Sequence, residues 1–289
     1  MEQIIANGLY LGAQYALIAL GLTLIFSLMN VLNFAHGQMY VLGGFVTYTF
    51  VSQFGFPFII ALLVSAIVLA VVGAAVERFL FRPVIKKTKR DESTMLLAAA
   101  IGFFLDAVIL LVFGEKQRGV PKIIDGVFNW DFRIIMPYDR IFIGLLAIAM
   151  IVVFILVMQH SKSGRAMRAL AQDKVAATLM GVDVDRYQMI GFALGAMLAG
   201  VVGGLLVTIT GINLGMGGPT STKAFIMIMI GGAGVIPGAI VGGFILGMME
   251  SVGLSVLSQY GDITYLVIFA SLMLFLVIRP HGLMGKPWG

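Results

Sequence analysis

Apolar residues fill most of this chain in long continuous runs, and short polar stretches separate them. The runs do not alternate in ten-residue units, so the pattern predicts membrane helices and not barrel strands. Residues 4–29, 58–76, 94–113, 141–158, 189–209, 239–257 and 263–278 each read as a span. Residues 39–52 and 223–230 are apolar but shorter than the roughly 20 residues a crossing helix needs. The expected fold is an all-α, polytopic transmembrane bundle of about eight spans with interrupted helices, forming one membrane domain over residues 1–289. Gly8-x-x-x-Gly12, Gly191-x-x-x-Gly195 and Gly200-x-x-x-Gly204 predict helices that pack backbone to backbone.

The polar stretches carry the rest of the information. Residues 159–188 form the longest polar interruption of the second half, with Lys162, Arg165, Arg168, Lys174 and Arg186 set against Asp173, Asp183 and Asp185. Ala166, Ala169, Leu170, Ala177 and Met180 recur at helical spacing, which predicts one amphipathic helix started at Gly164 and ended at Gly181, with Asp173 interrupting its apolar stripe. Two readings are open for this element: a helix lying on lipid headgroups, and a docking helix for a soluble partner.

Two further breaks fall within or beside apolar runs, at residues 30–38 and 231–238. Irregular backbone at membrane depth must be buried in protein or line a wet cavity, so paired breaks point to a translocation pathway. The alternative is a pair of ordinary short loops. Candidate pathway residues are Asn33, His36, Gln38, Gly234 and Pro237, together with Asp106, an acid in mid-span. His36 is either a proton relay or a holder of backbone groups in a broken helix. Glu250 raises the same question nearer a helix end.

Charge sets the orientation. The stretches 77–93 and 159–188 and the C-terminal tail hold thirteen lysines and arginines against six elsewhere, Lys223 among the six. The richer side is expected to be cytoplasmic, with the N-terminus outside and the C-terminus inside. Basic residues placed by that rule give no reason to expect nucleic acid as a partner. With 60% hydrophobic and 11% charged residues, the chain leaves no room for a large soluble domain. There is no cysteine, no phosphate-binding loop, no metal-ligand cluster and no catalytic Ser/His/Asp pattern, so no cofactor and no enzymatic activity are expected.

Three sets of motifs carry a resemblance. Gly21-Leu-Thr-Leu-Ile-Phe26 followed by Asn33-Phe-Ala-His-Gly37 opens the chain. Ser163-Gly-Arg-Ala-Met-Arg-Ala169, Ala176-Ala177 and Gly181-Val-Asp-Val-Asp-Arg186 occupy the long polar stretch. Lys223-Ala-Phe225, Gly231-Gly-Ala-Gly-Val-Ile-Pro-Gly238 and Arg279-Pro-His-Gly-Leu283 close it. Together, and in this order, they resemble branched-chain amino acid ABC transporter permeases of the LivH type. The loop 159–188 resembles the Glu-Ala-Ala-x-x-x-Gly loop of ABC importers, with Val175 where that loop has glutamate. The resemblance implies a bacterial inner-membrane permease that pairs with a LivM-type partner. It implies two cytoplasmic ATP-binding subunits and a periplasmic substrate-binding protein as further partners, besides membrane lipid. It makes Arg165, Arg168, Asp173, Ala176, Ala177 and Gly181 candidates for coupling to the ATPase, with the two alanines kept small by a tight docking groove. The rivals are an ion-coupled secondary transporter and a small-solute, urea-type channel.

Overall fold

A computed structural model describes residues 1–88, 91–130, 134–256 and 263–285. Of the sequence-predicted basic positions, Lys89, Arg90, Arg133 and Lys286 lie outside the described residues. Six helices are long and apolar enough to cross a membrane: α1 (Glu2–Met29), α3 (Phe58–Val76), α5 (Asp91–Phe113), α6 (Tyr138–His160), α9 (Val184–Leu206) and α11 (Ile236–Val256). Helix α3 runs on through a π turn at Glu77–Phe81 into α4 (Arg82–Lys87). Shorter apolar helices are α2 (His36–Tyr48), α10 (Gly217–Gly231) and α12 (Ile263–Ile278). Helices α7 (Lys162–Gln172) and α8 (Lys174–Leu179) fill the long polar stretch. The expected helical fold holds, with one addition: an antiparallel hairpin of β1 (Val127–Trp130) and β2 (Ile134–Pro137) in the connection before α6. The bundle thus has a hairpin end and an α7–α8 end.

Two triplets of helices form the centre, α1–α2–α3 and α9–α10–α11. Each is a long helix, an irregular climb, a short helix and a long return helix. They run in opposite directions. Helix α1 ends and α9 begins at the α7–α8 end. The triplets cross where α1 meets α9. A methyl group on Gly21 would sit 2.7 Å from the carbonyl oxygen of Gly195, and one on Gly195 would sit 2.7 Å from that of Gly21. Only glycine lets two helices approach this closely, and without a hydrophobic drive between helices in lipid such close contact is what holds them.

The short helices explain the runs that were too short to span. After Met29 the chain climbs back beside α1 in irregular conformation and begins α2 with His36, whose ring lies 3.2 Å from the carbonyl of Ile18, near the middle of α1. Helix α2 then covers only the half toward the hairpin, ending where the Arg118 guanidinium lies over the Tyr48 ring. In the second triplet the chain leaves α9 at the hairpin end, where Ile212 pairs with Arg118, and descends to begin α10 beside α2. A side chain on Gly37 would collide with the carbonyl of Gly217. Helix α10 covers the other half, ending beside Phe26 and Ser27 of α1.

This corrects one expectation. The second mid-depth break is at residues 207–216, while residues 232–235 form a turn at the α7–α8 end, with Gly232 at φ +105° and Gly234 at φ +80°. Helix α10 starts at Gly217 with Pro219 in its first turn, where a proline removes no helical hydrogen bond. The far end of α10 is closed by later residues. The Leu283 N–H donates to the carbonyl of Ile230 (2.8 Å) and the Met284 N–H to that of Gly231 (3.0 Å). The outer faces of α3, α5, α6 and α12 are bare and apolar, as at Phe103, Leu111 and Leu145.

Candidate functional site: a mid-depth junction and a capped loop

Three groups of functional candidates separate in space. The first is the start of α2. Asn33, fully buried, accepts a hydrogen bond from the Ala35 N–H (3.1 Å), which turns the chain into the helix. His36 is fully buried on the Ile18 carbonyl. The Gly37 N–H donates to Ser221 Oγ (2.8 Å), and Ser221 Oγ–H donates to the Phe34 carbonyl (3.0 Å). Ser221, on α10, therefore stitches both sides of the break, and the sequence reading missed it. Gln38 Nε2 donates to Asp106 Oδ2 (3.4 Å) on α5. Asp106 thus pairs with an amide. These contacts supply the backbone groups that lipid could not.

The second group lies at the start of α10. Lys223, counted in the sequence among the outer bases, belongs to the bundle. Its Nζ donates to both oxygens of Glu250 on α11 (2.8 and 2.9 Å) and to Tyr15 Oη on α1 (2.7 Å), while the Tyr15 hydroxyl donates to Glu250 Oε2 (2.5 Å). Glu250 is buried. A sequence signal existed: a lysine in an otherwise apolar eight-residue run, and an acid in a span.

The third group is α7–α8. Two helices replace the single one expected, because Asp173 takes extended backbone (φ −153°) and its side chain accepts from the Val175 and Ala176 N–H groups (2.8 and 2.9 Å). It ends α7 and caps α8. Helix α7 starts at Lys162, not Gly164; Ser161 caps it by accepting from the Gly164 N–H (2.8 Å). Gly181 ends α8 as expected, at φ +83°, with its N–H on Thr178 and that of Val182 on Ala177, the paired bonds of a glycine-terminated helix. Arg165 donates to the His160 carbonyl (3.0 Å), and Arg168 to those of Met158 and Gln159. Both arginines close the C-terminus of α6, where cations are favoured.

Gly164, Met167, Leu170 and Ala177 are the buried positions here, and Ala176 is exposed. Ala177 is covered by its own chain. Met180, placed on the apolar stripe by spacing, is 84% exposed, beside Leu179 at 83% and Val175 at 70%. Gly234 and Pro237 line a cavity of about 840 Å³ at this end with Arg168 and Asn30, away from Asn33, His36, Gln38 and Asp106.

The start of α9 is anchored separately. Glu77, buried in the π turn, pairs with Arg82 (2.7 Å); Arg82 also donates to the Asp185 carbonyl (2.9 Å), and Lys86 pairs with the Asp185 carboxylate.

Residues 4–277 match the family model described as branched-chain amino acid transport system / permease component. The chain belongs to that permease family. It is 35% identical to the high-affinity branched-chain amino acid transport system permease protein LivH of Escherichia coli K12, over 97% of this chain and 94% of the relative. It is 32% identical to BraD of Pseudomonas aeruginosa, over 99% and 96%. To the permease protein LivM of Escherichia coli K12 it is 22% identical, over 93% of this chain and 67% of the relative. The permease is a multi-pass membrane protein and a transport subunit.

Proposed function

We propose that the permease is the membrane-spanning subunit of an ABC importer for branched-chain amino acids or related small amphipathic solutes. It moves substrate inward with ATP hydrolysed by two partner subunits, alongside a LivM-type permease and an external substrate-binding protein. The single observation that supports docking is the tip of α8. Val175, Leu179 and Met180 are left bare on a helix capped at both ends, while Met167 and Leu170 tie α7 to the bundle. A bare apolar cluster on a rigid element is what a partner covers. Arg165 and Arg168 support the docking role indirectly, by fixing the hinge to α6.

Orientation follows from charge. Among the described residues, Arg78, Arg82, Lys86, Lys87, Lys162, Arg165, Arg168, Lys174, Arg186 and Arg279 lie toward the α7–α8 end. Lys116, Arg118, Lys122 and Arg140 lie toward the hairpin. With Lys223 inside the bundle the asymmetry is sharper than the sequence count, which supports a reading with the α7–α8 end in the cytoplasm and the N-terminus outside.

The test is co-purification. Leu179→Asp with Met180→Asp should cut recovery of the ATP-binding subunits about ten-fold, the loss expected when about 1.4 kcal/mol of docking is removed. The unfolding temperature of the permease pair should stay unchanged. Undiminished recovery would overturn docking at α8.

A further inference from the structure

A charged pair near the middle of a membrane bundle is expensive, and apolar residues would hold α10 to α11 as well. These two helices do not need the pair for contact: a side chain on Gly242 would strike the Met227 carbonyl, and one on Gly231 that of Gly238. The pair therefore calls for a reason beyond packing. It stands at the wall of a chamber of about 510 Å³ between α10, α11 and α12. Lys223 and Glu250 are the charged groups of that wall, with the Thr222 hydroxyl beside them. Ile226, Leu246, Ile268 and Phe269 supply the apolar remainder. Two opposite charges on one side and an aliphatic and aromatic lining on the other match a molecule with a zwitterionic head and a short apolar tail. The volume falls in the range of small-molecule sites.

We propose that this chamber is a station for a zwitterionic aliphatic amino acid within the permease. Lys223 takes the substrate carboxylate, Glu250 takes the substrate ammonium group, and the apolar wall takes the side chain. Because host pair and guest are both neutral overall, the exchange of partners leaves no unpaired charge at membrane depth. Tyr15 Oη, which contacts both charged groups, steadies them in either arrangement. This assignment rests on the importer reading above and adds a place and a head-group chemistry to it.

The chain has no cysteine, so Thr222→Cys puts one reporter thiol of this subunit in the chamber wall. Phe269→Cys provides a second reporter on the opposite helix, used if the first fails to assemble. The measurement is the rate of maleimide labelling of this subunit in the full complex in nanodiscs. L-Leucine at about four times its Kd should slow labelling about five-fold. Leucinamide, which lacks the carboxylate, and 4-methylpentanoate, which lacks the amine, should give little protection at the same concentration. Adding Lys223→Met or Glu250→Gln should abolish the protection by leucine. Unprotected labelling in a reporter complex that still imports leucine would overturn the station and leave the importer reading intact. Labelling that follows the lipid composition and ignores leucine would assign the chamber to an acyl chain and overturn it equally. Leucine accumulation by the permease without ATP-binding subunits would instead sink the importer reading itself.

Discussion

Helices α2 and α10 begin beside each other near the middle of α1, yet their first turns meet different surroundings. The start of α2 is enclosed: Asn33, His36 and Gly37 are buried, and each has a named hydrogen bond to Ala35, Ile18 or Ser221. The start of α10 is open on one side, with Gly218, Pro219 and Thr222 exposed and a charged pair behind them. The same device, a helix begun at membrane depth, is a structural joint in one triplet and an accessible surface in the other. Polar residues at depth are therefore not equivalent. What differs is access: the first joint is sealed in protein, whereas the second stands beside open space.

Four substitutions and one control, Gly218→Ala, test that contrast. The largest effect is expected at Gly37→Leu, whose side chain would meet the Gly217 carbonyl. The cost should exceed the roughly 1–3 kcal/mol of ordinary overpacking, because the obstacle is backbone. Assembled permease should vanish from the membrane fraction. Gly218→Ala, with nothing within 4 Å, should leave the yield unchanged. Next, His36→Ala should cost about 2–4 kcal/mol through the cavity and the lost bond to Ile18. It should lower the unfolding temperature of the purified complex without altering the pH profile of uptake. A shifted pH profile would make His36 a proton relay. Third, Ser221→Ala should cost about 1–3 kcal/mol by leaving the buried Gly37 N–H without its acceptor, measured by the same melting assay. The smallest effect is expected at Asp106→Asn, about 1 kcal/mol or less, since an amide can take the place of the carboxylate opposite Gln38. Uptake should stay within about two-fold of the parent, and a large loss would move Asp106 from the joint to the pathway.

The long spans were legible because some twenty uninterrupted apolar residues have few other fates. Gly181 was legible because a helix that ends in left-handed backbone selects glycine. The break at 30–38 was legible from Asn33, His36 and Gln38 interrupting apolar sequence. Its counterpart was misplaced, and the reason is physical. Gly232, Gly234 and Pro237 turn a chain equally well at a bundle end or at depth, whereas the real interruption at 207–216 carries no proline and no charge. Asp173 showed that something disturbed the loop helix, but spacing does not separate an acid on a helix surface from one that caps the next helix. Lys223 misled because its neighbours set its location, and Tyr15 and Glu250 are distant in sequence. The arginines of the loop were read by charge alone, while the carbonyls they close are visible only once α6 and α7 fold against each other.

The last carbonyls of α10 receive their hydrogens from Leu283 and Met284, which are translated only after α11 and α12. One half-helix of the central crossing thus stays unfinished until α11 and α12 have been made. A chain that stops before those residues leaves the carbonyls of Ile230 and Gly231 without these two donors.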